Sequence, residues 1–185
     1  MSLIDAIWGD EAVMRQRAAD NALLRILDEK VEESYFGFAF QRWDLKLQEQ
    51  VNAIIQEYID TGEIDRLSKK WLHGSKADHV VLPLSRSESG EALRFATVSV
   101  MPPFAYTDET DRIVGLDIEL AEMIAKRLGR PLSTQIAEVS DLFSILILNK
   151  VEMIAGAITI TPERSITMSF SPGYFHTSVV ALVRK

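Results

Sequence analysis

Threonine, proline and arginine stand at a spacing that can hold a carboxylate in the stretch Ala155-Gly-Ala-Ile-Thr-Ile-Thr-Pro-Glu-Arg164. An apolar run, Val151 to Ala155, enters a glycine turn. Thr161 then caps a new helical turn, with Pro162 in its first position and Arg164 projecting from it. Proline suits that position because it has no N–H to lose and its φ is already near the helical value. The result sets backbone groups, the Thr159 hydroxyl and the Arg164 guanidinium side by side at the carboxyl end of a strand. Open α/β sheets bind small ligands there, and arginine holds a carboxylate through two parallel hydrogen bonds. A strand–turn–helix with a merely solvated arginine accounts for the same local pattern equally well.

Other chemistries find little support. The three histidines, His73, His79 and His176, are scattered and none has metal-ligand spacing. With no cysteine, disulfides and thiolate metal sites are excluded. No glycine-rich phosphate loop is present, and no metal or other cofactor is implied. The net charge of −7 over 185 residues argues against a nucleic-acid partner, which calls for a basic face. Lys69-Lys70 reads as a solvated helix face. At 47% hydrophobic and 25% charged the chain has an ordinary globular composition, and no run approaches a membrane span.

The elements that must position the turn follow from periodicity. Ile4 to Trp8 predicts a short buried strand, with Gly9-Asp10 opening a helix to about Ala19. Leu23 to Leu27 and the aromatic stretch Tyr35 to Phe40 predict strands. Asp44 can cap a helix whose Leu47, Val51, Ile54, Ile55 and Tyr58 share one face. Gly62 sits where a left-handed helix end is expected, and Ile64, Leu67 and Trp71 mark one side of a following helix.

Residues 74–92 read as a linker with a short strand at Val80 to Leu84. A flexible segment of that length spans about 25 Å, enough for the two helices to fold back onto the downstream sheet. Arg94 to Ser99 predicts a strand, Pro102-Pro103 a rigid turn, and Gly115 to Leu128 a helix ended by Gly129. Leu132 to Glu138 then predicts a strand, and Ser140 the cap of a helix carrying Leu142, Phe143, Leu146 and Ile147. With a last strand near Ser178 to Val183, the alternation predicts an α/β fold with a largely parallel sheet between helices.

Several motifs in this order resemble the first half of the amino-acid-type (family 3) periplasmic solute-binding proteins, two-lobed clamps of the type 2 periplasmic-binding, or Venus flytrap, fold. They are Met101-Pro-Pro-Phe104, Val114-Gly-Leu-Asp-Ile-Glu-Leu-Ala121, Asn149-Lys-Val-Glu-Met-Ile-Ala-Gly156, Thr159 to Arg164, and Phe170-Ser-Pro-Gly-Tyr174. Upstream, Asp5-Ala-Ile-Trp-Gly-Asp-Glu-Ala-Val13, Tyr35-Phe-Gly-Phe-Ala-Phe40 and Asp44 to Leu72, ending in Lys69-Lys-Trp-Leu72, resemble that family's end. The tail of the pattern precedes its head. The resemblance therefore implies lobe one in circularly permuted order. Residues 1–41 would be an incomplete second-lobe remnant with the crossover strand, 42–73 the terminal helices packing on lobe one, 74–92 a linker, and 93–185 the lobe-one sheet.

The resemblance also implies site roles. Arg164 and Thr159 would hold an amino acid's α-carboxylate, and the backbone at Ala157 would meet its amino group. Asp10 matches the second-lobe aspartate that pairs with the ammonium, although a helix N-cap explains it as well. Met101 stands where an aromatic often stacks on the ligand, and Val139-Ser140 replaces a frequent aromatic-Asp pair.

The implied function is a periplasmic or extracellular amino-acid-binding module serving the permease of an ABC importer, not an enzyme. A ligand-sensing domain of a membrane receptor with tandem modules is the alternative, and the permuted order favours it directly. A dehydratase-like enzyme on the same scaffold would need a general acid opposite Arg164. The exposed remnant offers a surface for a homodimer. Any export signal would lie outside this sequence.

Overall fold

The protein is seen in a computed structural model that describes residues 6–75, 78–81, 83–84 and 88–185. Its centre is a five-stranded sheet in the order β10-β3-β9-β4-β8. The strands are β3 (Ala39–Gln41), β4 (Leu93–Thr97), β8 (Leu132–Ile136), β9 (Met153–Ile154) and β10 (Met168–Phe170). β8, β4 and β9 pair parallel, and β3 runs against them, pairing antiparallel with both β9 and β10, so β10 points the same way as the parallel set. The sheet is therefore largely parallel in direction, as expected, with one reversed strand from the leading third inserted between β9 and β10.

The helices form where apolar period and caps agree. In α2 (Leu45–Asp60) the Asp44 carboxylate accepts the Leu47 N–H at 3.2 Å, and Leu47, Val51, Ile54, Ile55 and Tyr58 are buried. Gly62 takes a left-handed φ of 76° between α2 and α3 (Glu63–His73). Ile64, Leu67 and Trp71 of α3 join one continuous core with Leu93 and Phe95 of β4 and Leu120 and Ile124 of α4 (Leu116–Arg127). Leading helices and trailing sheet thus share a single hydrophobic interior.

A second sheet has the order β1-β11-β2, formed by β1 (Ala6–Asp10), β2 (Leu24–Phe36) and β11 (Phe175–Arg184). All its pairings are antiparallel. The last strand accordingly lies outside the parallel set where the sequence placed it. Between β1 and β2 runs α1 (Glu11–Asp20). A meander of β5 (Val100–Met101), β6 (Ala105–Thr107) and β7 (Ile113–Val114) joins β4 to α4.

Several local expectations change. Tyr35 to Phe40 is not one strand: β2 ends at Phe36 and β3 begins at Ala39. Between them the Gly37 N–H turns to the Ile158 carbonyl and the Phe38 N–H to Ser171 Oγ, so the backbone leaves β11 and enters the central sheet. Ile4 lies outside the described residues, and β1 is an exposed edge rather than a buried strand, with Trp8 57% accessible. Described residues 80, 81, 83 and 84 form no strand, and Leu82 lies outside the described set. Ser140 does not cap α5 (Leu142–Ile147): Asp141 holds the N-cap position, and the Ser140 hydroxyl turns to the Asp141 carboxylate.

Candidate functional site

The turn begins where β9 ends. Gly156 (φ 139°) and Ala157 (φ 55°) swing the chain out of the central sheet. Residues 158–160 then run beside the end of β2, with Ile158 accepting the Gly37 N–H, Thr159 bridging Phe36 and Ile160 donating to the Tyr35 carbonyl. Thr161 caps α6 (Pro162–Ser165), its hydroxyl accepting the Arg164 N–H at 3.3 Å. The sequence-predicted cap and the proline at its first helical position are both present.

Arg164 is half-buried. Its Nη1 donates to the Thr159 carbonyl at 2.7 Å, and its guanidinium carbon lies 4.8 Å from the centre of the Phe143 ring. A cation held on an aromatic face is positioned without being neutralised. Among the described residues Arg164 makes no ion pair, so donors remain for an anion. Burial lowers its pKa, and the charge of Asp10 opposes that shift.

Asp10 lies within electrostatic reach of Arg164. Burial raises its carboxyl above the usual range, against its own backbone N–H and the Arg164 charge. It holds the N-cap position of α1 yet makes no side-chain cap bond, so its oxygens are not committed to the helix. The register delivers it: β1 pairs with β11, and Asp10 stands opposite Val179.

Thr159 and Arg164 are thus joined directly and Asp10 acts on Arg164 electrostatically, whereas the Ala157 N–H is bonded to Asp117. The expected Thr159 hydroxyl contact differs in detail, since it is the carbonyl of Thr159 that engages Arg164. Met101 ends β5, half-buried against the core, as a packing residue would be. Phe104 is fully buried and belongs to the core.

Sequence reading missed Asp117, the second residue of α4. It is fully buried, accepting the Ala157 N–H at 2.8 Å on Oδ2 and the Tyr174 hydroxyl at 2.6 Å on Oδ1. Burial pushes its carboxyl up to about 6, and the Tyr174, Ala157 and Gly156 hydrogen bonds act in the opposite direction. The available signal was helical spacing: Asp117 shares a face with Leu120, Ala121 and Ile124, all buried. Phe143 was read only as a helix residue, yet it faces Arg164.

A cleft of about 490 Å³ opens elsewhere, between α1, α3 and the meander, lined by residues that include Asp20, Trp71, His79, Tyr106 and Asp108. None of the five sequence-predicted site residues lines it. Its carboxylates are engaged locally, Asp20 by Gln16 and Asp108 by Thr110 and Arg112.

Comparison with known proteins gives a family. A family model described as bacterial extracellular solute-binding proteins, family 3, matches residues 93–185. The arginine-binding extracellular protein ArtP of Bacillus subtilis (strain 168) is 33% identical over 125 residues, 63% of this chain and 49% of that protein. A putative ABC transporter arginine-binding protein 2 of Escherichia coli (strain K12) is 30% identical over 92 residues, 50% of this chain and 38% of that protein. The chain thus spans half or less of the length of these relatives. Among solved structures, the arginine-bound form of domain 1 from TmArgBP is 33% identical, with a TM-score of 0.44, covering 51% of this chain and 80% of that one.

Proposed function

The chain belongs to the bacterial extracellular solute-binding proteins, family 3, and from that premise we propose that it is an amino-acid-binding module of an ABC importer. Its ligand is an amino acid or similar small carboxylate. Arg164 and Thr159 take the carboxylate, and Asp10 with the Ala157 backbone takes the ammonium. The observation that carries this reading is half-buried Arg164, held by the Thr159 carbonyl and the Phe143 ring and without an ion pair among the described residues, while the charge of Asp10 acts on it. The names of the relatives make arginine the first ligand to test.

Residues 93–174 with β3, α2 and α3 correspond, in this reading, to lobe one in permuted order, and β1, α1, β2 and β11, which share one sheet, to part of lobe two. The site acts by binding, without chemistry. Its working place is outside the cytoplasmic membrane, against a permease. Among the described residues no helix is long and apolar enough to cross a membrane. A receptor's ligand-sensing domain is the second reading, favoured by the order of elements, in which the family's terminal helices precede its first strand. The surface sheet β1-β11-β2, with Ile7, Trp8 and Val31 exposed, is the face through which two copies would meet.

Half a clamp leaves the ligand partly in water, so its anchors compete with solvent and affinity is low. Calorimetry against the twenty amino acids tests the reading. Arginine or another amino acid is expected to bind with a Kd of about 1 mM. Arg164→Ala removes a charged hydrogen bond and should weaken binding about 10- to 150-fold. Unchanged affinity in that variant, or no heat with any amino acid up to about 10 mM, overturns the proposal.

A further inference from the structure

Ala157 holds a left-handed φ of 55° with nothing in its own side chain to stabilise it. Its neighbour Gly156 is free to adopt φ 139°, where a Cβ would meet Val98 Cγ2 at 2.9 Å. What fixes the alanine is a hydrogen bond from its N–H to Asp117 Oδ2, at 2.8 Å. The other carboxylate oxygen accepts the Tyr174 hydroxyl at 2.6 Å. Tyr174 stands where the chain leaves the central sheet for β11, and its own N–H donates to the Phe36 carbonyl at 3.0 Å. β11 in turn carries β1 by register, and with it Asp10 opposite Val179.

We infer that Asp117 is the positioning residue of the ligand turn, holding Ala157 with one oxygen and the root of β11 with the other. This rests on the site reading above. A carboxylate buried among Leu120, Ala121 and Ile124 is costly unless both its oxygens are bonded. Here they are bonded to the two segments that carry opposite sides of the site. An apolar residue would fill the same space and position neither.

The arrangement makes the turn sensitive to acid. Among the described residues, the groups acting on Asp117 are the Tyr174 hydroxyl and the Ala157 and Gly156 backbones. Tyr174 is itself pushed well above its ordinary range by burial and by Asp117, so it stays a neutral donor. Protonating Asp117, at a pH of about 6, removes the charge that strengthens both bonds, so the Ala157 N–H is left on a neutral and weaker acceptor. Acid loosens the turn.

The ¹⁵N-labelled chain tests this without ligand. The Ala157 amide shift is expected to follow a single inflection near the Asp117 titration, and Asp117→Asn should abolish it while keeping one acceptor for the amide. Tyr174→Phe removes a bond that favours the ionised form, so the inflection should move to higher pH. In Asp117→Ala the Ala157 amide should exchange faster, on the order of tenfold or more. The inference is overturned if the Ala157 inflection survives unchanged in Asp117→Asn, or stays in place in Tyr174→Phe. Both variants are near-isosteric, so the outcome does not depend on Asp117→Ala folding. Arginine affinity of Arg164→Ala judges the ligand reading separately. Loss of that reading would leave the amide result standing, and loss of the amide result would leave the arginine result standing.

Discussion

The indole N–H of Trp71 donates to Glu119 Oε2 at 2.7 Å, tying the last turn of α3 to the first turn of α4 across 48 residues of sequence. The same oxygen receives Lys70 Nζ at 2.6 Å, and that ammonium lies 5.2 Å from the Trp71 ring centre. Trp71 is 1% accessible, so its ring is core and its N–H would be unpaired without Glu119. This is where the leading helices are latched to the trailing half.

Breaking the latch separates ring from hydrogen bond. Trp71→Ala is expected to cost about 3–5 kcal/mol, the range for deleting a large buried ring. Trp71→Phe keeps most of the apolar volume and should cost about 1–3 kcal/mol, with Glu119 losing a partner. Urea denaturation of both variants decides the matter. If Trp71→Phe costs as much as Trp71→Ala, the ring contributes little and the latch is polar.

Gly115 gives the sharpest backbone test. Its φ is 134°, a region that residues with a Cβ rarely enter, and an added Cβ would run into the Phe104 carbonyl. The close approach lets the Asp117 N–H reach the Phe104 oxygen at 3.0 Å at the start of α4. Gly115→Ala should therefore destabilise by about 2–4 kcal/mol, well beyond the usual helix-end effect. A thermal midpoint within a degree or two of wild type would show that the segment shifts freely.

Asp117 predicts an uncommon pH dependence of stability. Its folded pKa of about 6 lies above the ordinary 3.8, so the native state binds the proton more tightly than the unfolded chain. Its burial therefore opposes folding fully above pH 6, and the penalty is relieved as pH falls from about 6 to 4. The difference corresponds to about 3 kcal/mol. Asp117→Asn should gain on wild type at pH 8 and lose that advantage by pH 4. Measured as the difference between the two proteins at each pH, the effect is independent of other carboxylates. A constant difference across that range would contradict the burial of an ionised Asp117.

The sequence revealed what is local and hid what is relational. α2, α3 and α4 were legible because Leu47 to Tyr58, Ile64 to Trp71 and Leu120 to Ile124 repeat at helical period between recognisable caps. The Thr161-Pro162 turn was legible for the same reason. β2 was legible only at its ends, Leu23 to Leu27 and Tyr35, since its middle carries charged residues and its two parts pair with β11 on either side of a register shift between Leu27 and Glu32. Asp117 was hidden because its partners, Ala157 and Tyr174, lie 40 and 57 residues away. The approach of Asp10 to Arg164 likewise depends on a strand pairing that no local pattern encodes.

The surface sheet carries the last prediction. β1 and β2 are its two edges, and among the described residues neither is paired on its outer side. Ile7 and Trp8 on β1 and Val31 and Tyr35 on β2 are exposed, Trp8 to 57% and Val31 to 62%. Unpaired edges with apolar side chains recruit further strands, and charged residues placed there suppress it. A second copy satisfies both edge and side chains by a two-fold contact. Sedimentation velocity should show a monomer–dimer equilibrium with a Kd of about 10–100 μM, typical of a small, partly polar contact. Val31→Lys and Trp8→Lys should each shift it towards monomer without lowering the thermal midpoint, because neither side chain supports the core. A monomer at every concentration, or a dimer indifferent to both substitutions, would mean that this sheet is not where copies meet.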